Sequence, residues 1–187
     1  MKRIDALKQK AFKEGEFDGF LVFNSANLIY LTGFSGASAL LTLKNGESRI
    51  YVYSVNHAHA KAELPEIRIE VVKHKEKLMA EIAKKAKALA IKRLAVDSLN
   101  VESWRTITKF IGKEKMLDVD ESILRAFRMV KDENEIELMH KAAELTSEGM
   151  RIAREVVVSG MKEYEVAAEI EYAMRKKALL ALLSKRL

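Results

Sequence analysis

Apolar residues fall into short blocks along the first two thirds of the chain and into helical repeats along the last third. Ile4, Leu7 and Ala11 recur at helical spacing and predict an amphipathic helix over residues 1–17, with Gly15 near its C-terminal cap. The run Gly19-Phe20-Leu21-Val22-Phe23 ends at Asn24-Ser25, and its length suits a strand buried on both faces. A second apolar block covers residues 37–43, and Lys44-Asn45-Gly46-Glu47 leads from it into a third at 49–53. Asn-Gly predicts a hairpin closed by a type I′ turn, so at least one strand pair is antiparallel. Strand and helix patterns then alternate: helix 56–63, strand 68–72, helix 75–90 with Leu78, Ile82, Ala86 and Leu89, strand 93–96, helix 101–110 opened by Asn100, and strand 116–119. Strands separated by helices indicate an α/β fold. With the early hairpin, the expectation is a six-stranded mixed sheet flanked by helices.

From residue 121 onward no strand signal remains. Asp132, followed by Glu135 three residues later, is a capping-box pattern. Ile136, Met139, Ala143, Met150, Ala153 and Val157 repeat at threes and fours until Ser159-Gly160 stops the helix. A second helix starts near Lys162 and carries Val166, Ile170, Ala173 and Leu180 on one face. Two long C-terminal helices therefore follow the sheet. The expected domains are residues 1–124 (α/β) and 125–187 (a helical tail).

Composition narrows the class. Hydrophobic residues make up 49% of the 187, an ordinary share for a globular protein. No apolar run approaches the roughly 18 residues of a membrane span, and the opening Met1-Lys2-Arg3-Ile4-Asp5 leads into an amphipathic stretch and not a secretory signal. A cytoplasmic protein with no membrane partner is expected. The absence of cysteine excludes disulfides and thiolate metal sites. Charged residues reach 32% with a single glutamine, Gln9, a thermophile-like bias. Lys+Arg 33 against Asp+Glu 27 gives +6, which raises a basic nucleic-acid-binding module as an alternative. The charges are interleaved, as in Lys75-Glu76-Lys77 and Lys131-Asp132-Glu133, and that disfavours nucleic acid as a partner.

Candidate chemistry is sparse. His57, His59, His74 and His140 have no carboxylate at ligand-like spacing, so a solvated or core-edge role is preferred for them. Gly33-Phe34-Ser35-Gly36 lacks both phosphate-loop fingerprints, no Gly-x-Ser-x-Gly elbow is present, and Trp104 reads as packing. Read from the residues themselves, there is no catalytic residue, no metal site and no cofactor.

Two stretches carry a resemblance. Asp18 to Gly36, and most specifically Tyr30-Leu31-Thr32-Gly33-Phe34-Ser35-Gly36, resembles the signature of the N-terminal domain of creatinase, prolidase and aminopeptidase P. Arg128-Met129-Val130-Lys131 with Glu135-Ile136, followed by Gly160-Met161-Lys162-Glu163-Tyr164-Glu165-Val166-Ala167-Ala168-Glu169-Ile170-Glu171, is similar to the segments that open the pita-bread catalytic domain of Xaa-Pro dipeptidases. The resemblance runs to about residue 176. It implies the mixed-sheet N-terminal domain inferred above.

It also implies chemistry carried elsewhere in relatives, where two Asp, one His and two Glu hold two divalent metals and a bridging hydroxide attacks the bond before proline. All five ligands would lie downstream of these residues. After Lys177, where relatives turn into the first catalytic strand, Ala178-Leu179-Leu180-Ala181-Leu182-Leu183 continues the helical pattern. The expectation is thus a truncated relative without peptidase activity of its own, acting in self-association or protein interaction. The alternative is an Xaa-Pro dipeptidase by family. In dimeric relatives the N-terminal domain reaches the partner's active-site mouth, which makes Asn27, Tyr30, Thr32, Gly33 and Phe34 the candidate loop. Plain packing of a helix on the sheet is the other reading of these residues. Ile29 and Tyr53-Ser54-Val55-Asn56 depart from the family pattern nearby. Val166, Ile170, Met174, Leu179 and Leu183 form the candidate association face. The expected partners are a second copy or a full-length Xaa-Pro peptidase.

Overall fold

A computed structural model describes residues 2–13, 17–111, 116–119 and 122–183. Six strands form one sheet: β1 (Gly19–Val22), β2 (Ala37–Leu43), β3 (Ser48–Tyr53), β4 (Arg68–Val72), β5 (Arg93–Val96) and β6 (Met116–Val119), in the order β4-β3-β2-β1-β5-β6. The β1–β2 and β2–β3 pairs are antiparallel, while β3–β4, β1–β5 and β5–β6 are parallel. The sheet is mixed, as the sequence pattern requires. Its helices are α1 (Lys2–Lys13), α2 (Ser25–Thr32), α3 (His57–Glu63), α4 (Leu78–Ala88), α5 (Val101–Ile111) and α6 (Ser122–Met129). The Gly15 cap lies outside the described residues.

Both faces of the sheet are covered, which explains the unbroken apolar runs in its central strands. Phe20, Val22, Leu40, Ile50 and Ala95 face a core that also holds Ile4, Leu7 and Ala11 of α1, Leu28 and Leu31 of α2, and Leu124 of α6. Leu21, Leu41, Tyr51, Leu94 and Val96 face the opposite way, against Leu78, Ile82 and Ala86 of α4 and Ile107 of α5. Successive residues of β1 thus serve opposite cores, the period of two that a pleated strand imposes.

The β2–β3 turn differs from expectation. Gly46 has φ 92°, but Asn45 is not left-handed, so the turn is not type I′. Gly46 N–H donates to Leu43 O (3.0 Å), Leu43 N–H donates to Glu47 O (2.9 Å), and the Asn45 side chain accepts from Glu47 N–H (3.0 Å). This is a three-residue loop with the glycine in the left-handed position, the common alternative to the two-residue hairpin. Asn45 serves as an acceptor there.

The chain divides into two compact units, Met1–Met129 and Val130–Leu187, so α6 belongs with the sheet. The second unit is a helical hairpin of α7 (Glu133–Val156) and α8 (Glu163–Leu183). Asp132 opens α7 with both arms of the capping box, accepting from Glu135 N–H at 2.9 Å while the Glu135 carboxylate accepts from Asp132 N–H at 3.0 Å. The face of α7 turned to α8 runs through Leu145, Gly149, Ile152 and Val156, whereas Ile136, Met139, Met150 and Val157 are exposed. Gly149 is buried because a Cβ there would stand 2.8 Å from Met174 Sδ and 3.3 Å from Ile170 Cγ2. The bare backbone lets α8 come close.

Candidate functional site

One set of polar groups in the first unit converges where β1 and β5 end side by side. Asp97 follows β5 directly and is completely buried. Its carboxylate accepts three N–H groups: Phe23 at 2.8 Å, Asn24 at 3.1 Å and the Asn27 side-chain amide at 2.9 Å. The first two lie in the turn between β1 and α2. Asn24 then caps α2 with its own side chain, accepting from Ala26 N–H (2.9 Å) and Asn27 N–H (3.3 Å). Asn27 Oδ1, on the far side of its amide, accepts from Arg128 Nη1 of α6 at 3.1 Å.

All five candidate loop residues lie on or next to α2, and each has a partner within the first unit. Asn27 is buried between Asp97 and Arg128. Tyr30 is half-buried; the Arg3 guanidinium sits 4.1 Å from its ring centre and donates to its carbonyl at 3.1 Å, and the Tyr30 hydroxyl donates to Phe127 O at 3.4 Å. The Thr32 hydroxyl donates to Leu28 O (2.7 Å) and accepts from Phe34 N–H (3.1 Å), which closes the end of α2. Phe34 is buried and meets the His59 ring edge-on at 5.2 Å. Gly33 is the exposed member, at φ 72°, where its N–H ends α2 by donating to Ile29 O. A cleft of about 260 Å³ beside this loop is lined by Ile4, Leu31, Thr32, Glu63, Leu64 and Pro65. On the candidate association face, Val166, Ile170 and Met174 are half-buried, and Ile170 and Met174 pack toward Gly149. The side chains of Leu179 and Leu183 lie outside the described residues.

Asp97 and Arg128 escaped the sequence reading as a pair. The available signal was a carboxylate directly after the apolar strand Leu94-Ala95-Val96, a place where a charge must find donors.

A second polar cluster lies at the β4 edge. A cleft of about 270 Å³ between β4 and α4 is lined by Tyr51, Glu70, Val72, Glu81 and Lys85 among others. Tyr51 is buried, and its hydroxyl has no hydrogen-bond partner among the described residues. Burial first, and then the nearby Glu70 carboxylate, push the phenol well above its ordinary value, with Arg49 opposing. A raised folded-state pKa means the stabilising contribution of the neutral phenol is complete below about pH 10 and is lost as pH rises toward the folded value. Tyr51→Phe removes an unpaired buried hydroxyl and should raise stability by about 1 kcal/mol while blunting alkaline unfolding above about pH 10. Urea melts of both proteins at pH 8 and pH 10.5 check this.

Among the described residues, no group of three His, Asp or Glu side chains is placed to hold a metal ion. The Asp97 carboxylate is already engaged by three N–H donors. His59 pairs with Glu63 at 2.6 Å on one helix face. These residues do not fit the two-metal centre implied by the resemblance. None of the described helices is long and apolar enough to cross a membrane.

Residues 3–130 match the family model of the creatinase/prolidase N-terminal domain. The chain belongs to this family. The Xaa-Pro dipeptidase of Pyrococcus horikoshii is 28% identical over 185 residues, covering 92% of this chain and 49% of that protein. The crystal structure of the prolidase from Pyrococcus horikoshii OT3 superposes with a TM-score of 0.77 at 26% identity, covering 95% of this chain and 49% of that one. The N-terminal domain of the cytoplasmic peptidase PepQ from Mycobacterium tuberculosis H37Rv has the same fold, with a TM-score of 0.59 at 20% identity, covering 67% of this chain and 97% of that one. This creatinase/prolidase-type chain spans about half the length of the first two proteins.

Proposed function

We propose that residues 1–187 act as a self-association or protein-interaction module of the Xaa-Pro peptidase type, without peptidase activity of their own. The observation that carries this reading is the helical hairpin, which exposes Ile136, Leu138, Met139, Met150, Val157 and Tyr164. Large apolar side chains left in water each forgo about 1.5–3 kcal/mol of burial, and a patch of that kind favours a partner. A second copy is the first partner proposed, and a full-length Xaa-Pro peptidase the second. In the first unit, the exposed Gly33 of the candidate loop, with its neighbour Ile29, is the proposed point of contact. A cytoplasmic location is part of this proposal, in keeping with a composition free of cysteine.

The match along 185 residues to an Xaa-Pro dipeptidase favours a second reading, hydrolysis of Xaa-Pro bonds with two divalent metals. One pair of measurements separates the two. Light scattering of the 187-residue chain at micromolar concentration should give the mass of a dimer, and an Xaa-Pro dipeptide with added manganese or cobalt should remain intact. A monomer at that concentration defeats the self-association part. Chelator-sensitive turnover establishes the dipeptidase reading instead.

A further inference from the structure

We infer that Asp97, Asn27 and Arg128 form a polar latch that holds α6 on the first unit and lets this helix detach without unfolding the sheet. Asp97 is the only completely buried carboxylate among the described residues, and its need for donors orients everything around it. Asn27 must turn its NH₂ toward Asp97, at 2.9 Å. That choice fixes its oxygen on the opposite side, where Arg128 donates at 3.1 Å. A side-chain amide suits this place because it donates to an anion at one end and accepts from a cation at the other. An aspartate would face Asp97 with like charge, and a lysine has no acceptor for Arg128.

The latch matters because α6 is short. Eight residues of helix are marginal alone in water, so α6 persists through tertiary ties. Those ties are few. Leu124 is buried, Ile123 and Phe127 are half-buried against the first core, and the Tyr30 hydroxyl reaches Phe127 O at 3.4 Å, a weak bond. The strands, by contrast, have cores on both faces. Opening free energies follow such differences in buried contact, so α6 should open below the global transition. Arg128 then sets how often. The residues freed with it, Met129 and Val130, are already exposed and apolar.

Hydrogen exchange with mass spectrometry on the whole 187-residue chain tests the latch. Arg128→Met should speed exchange across residues 122–129 by about tenfold or more, with residues 19–22 and 93–96 unchanged. Arg128→Lys, which keeps the charge but places its N–H donors on one nitrogen in place of a planar fork, should fall between. Arg128 has further contacts, so a cycle with Asn27→Ala isolates this pair: the double variant should speed exchange in α6 by clearly less than the product of the two single effects. Arg128→Met relies only on a residue with an exposed side chain, so the test stands even if Asn27→Ala does not fold. Unchanged exchange in α6 overturns the proposal. So does an equal rise in the two strands, or an effect in the double variant equal to the product of the singles.

Discussion

Asp97→Ala should destabilise the first unit by about 3–5 kcal/mol, enough to leave much of the chain unfolded at 37 °C if its stability is ordinary. Three N–H groups end on this carboxylate at 2.8–3.1 Å. Removing it takes the acceptor from the part-buried backbone N–H groups of Phe23 and Asn24 and from the buried Asn27 amide. Each unsatisfied donor costs about 1–3 kcal/mol, and the losses overlap because one small cavity can admit a water to serve some of them. Asp97→Asn separates charge from shape. Its amide oxygen can still accept, but its NH₂ must face a donor, so a cost of about 2–3 kcal/mol is expected. Denaturant melts of both variants at constant salt measure the difference. A cost below 1 kcal/mol for Asp97→Ala would show that the carboxylate is not what holds the turn after β1.

The legible parts of this fold are those set by neighbours in sequence. The strands stand out as apolar blocks, since each needs only local hydrophobicity and a stop such as Asn24-Ser25 or Lys44-Asn45-Gly46. The capping box at Asp132 and Glu135 is likewise read directly, because both partners lie within one turn. The short helices α2 and α6 are harder. Their eight residues give barely two turns of periodicity, and Asn27 interrupts the apolar face of α2 for a reason found 70 residues away at Asp97. On α7 the repeat from Ile136 to Val157 has helical spacing but is exposed, while the contact with α8 runs through Gly149, a residue that hydrophobicity cannot mark. Periodicity says that a helix has an apolar side, and close approach of backbones decides which side is used. The polar site follows the same division. Tyr30, Thr32 and Phe34 are singled out by resemblance, but the partners that explain Asn27 lie beyond any local window.

Phe34 and Gly36 supply the other large effect. Phe34→Ala should cost about 3–5 kcal/mol, the loss of a fully buried aromatic ring together with the cavity it leaves. Gly36→Ala should cost about 1–3 kcal/mol for the opposite reason: a Cβ at Gly36 would stand 2.5 Å from the Phe34 ring and 2.9 Å from the Asn56 amide carbon, and one of them must move. The two changes act on one space. Once the ring is gone, the added methyl has room on that side and fills part of the cavity, so the double variant should cost less than the sum of the singles by about 1 kcal/mol or more. Asn56 limits the relief, because its Nδ2 donates to Gly36 O at 3.1 Å and holds its carbon near the same point. Four urea melts at one pH complete the cycle. Strict additivity would mean that Gly36 is required by the Asn56 contact alone, and the close fit of the ring over the glycine would then contribute nothing to the loop's shape.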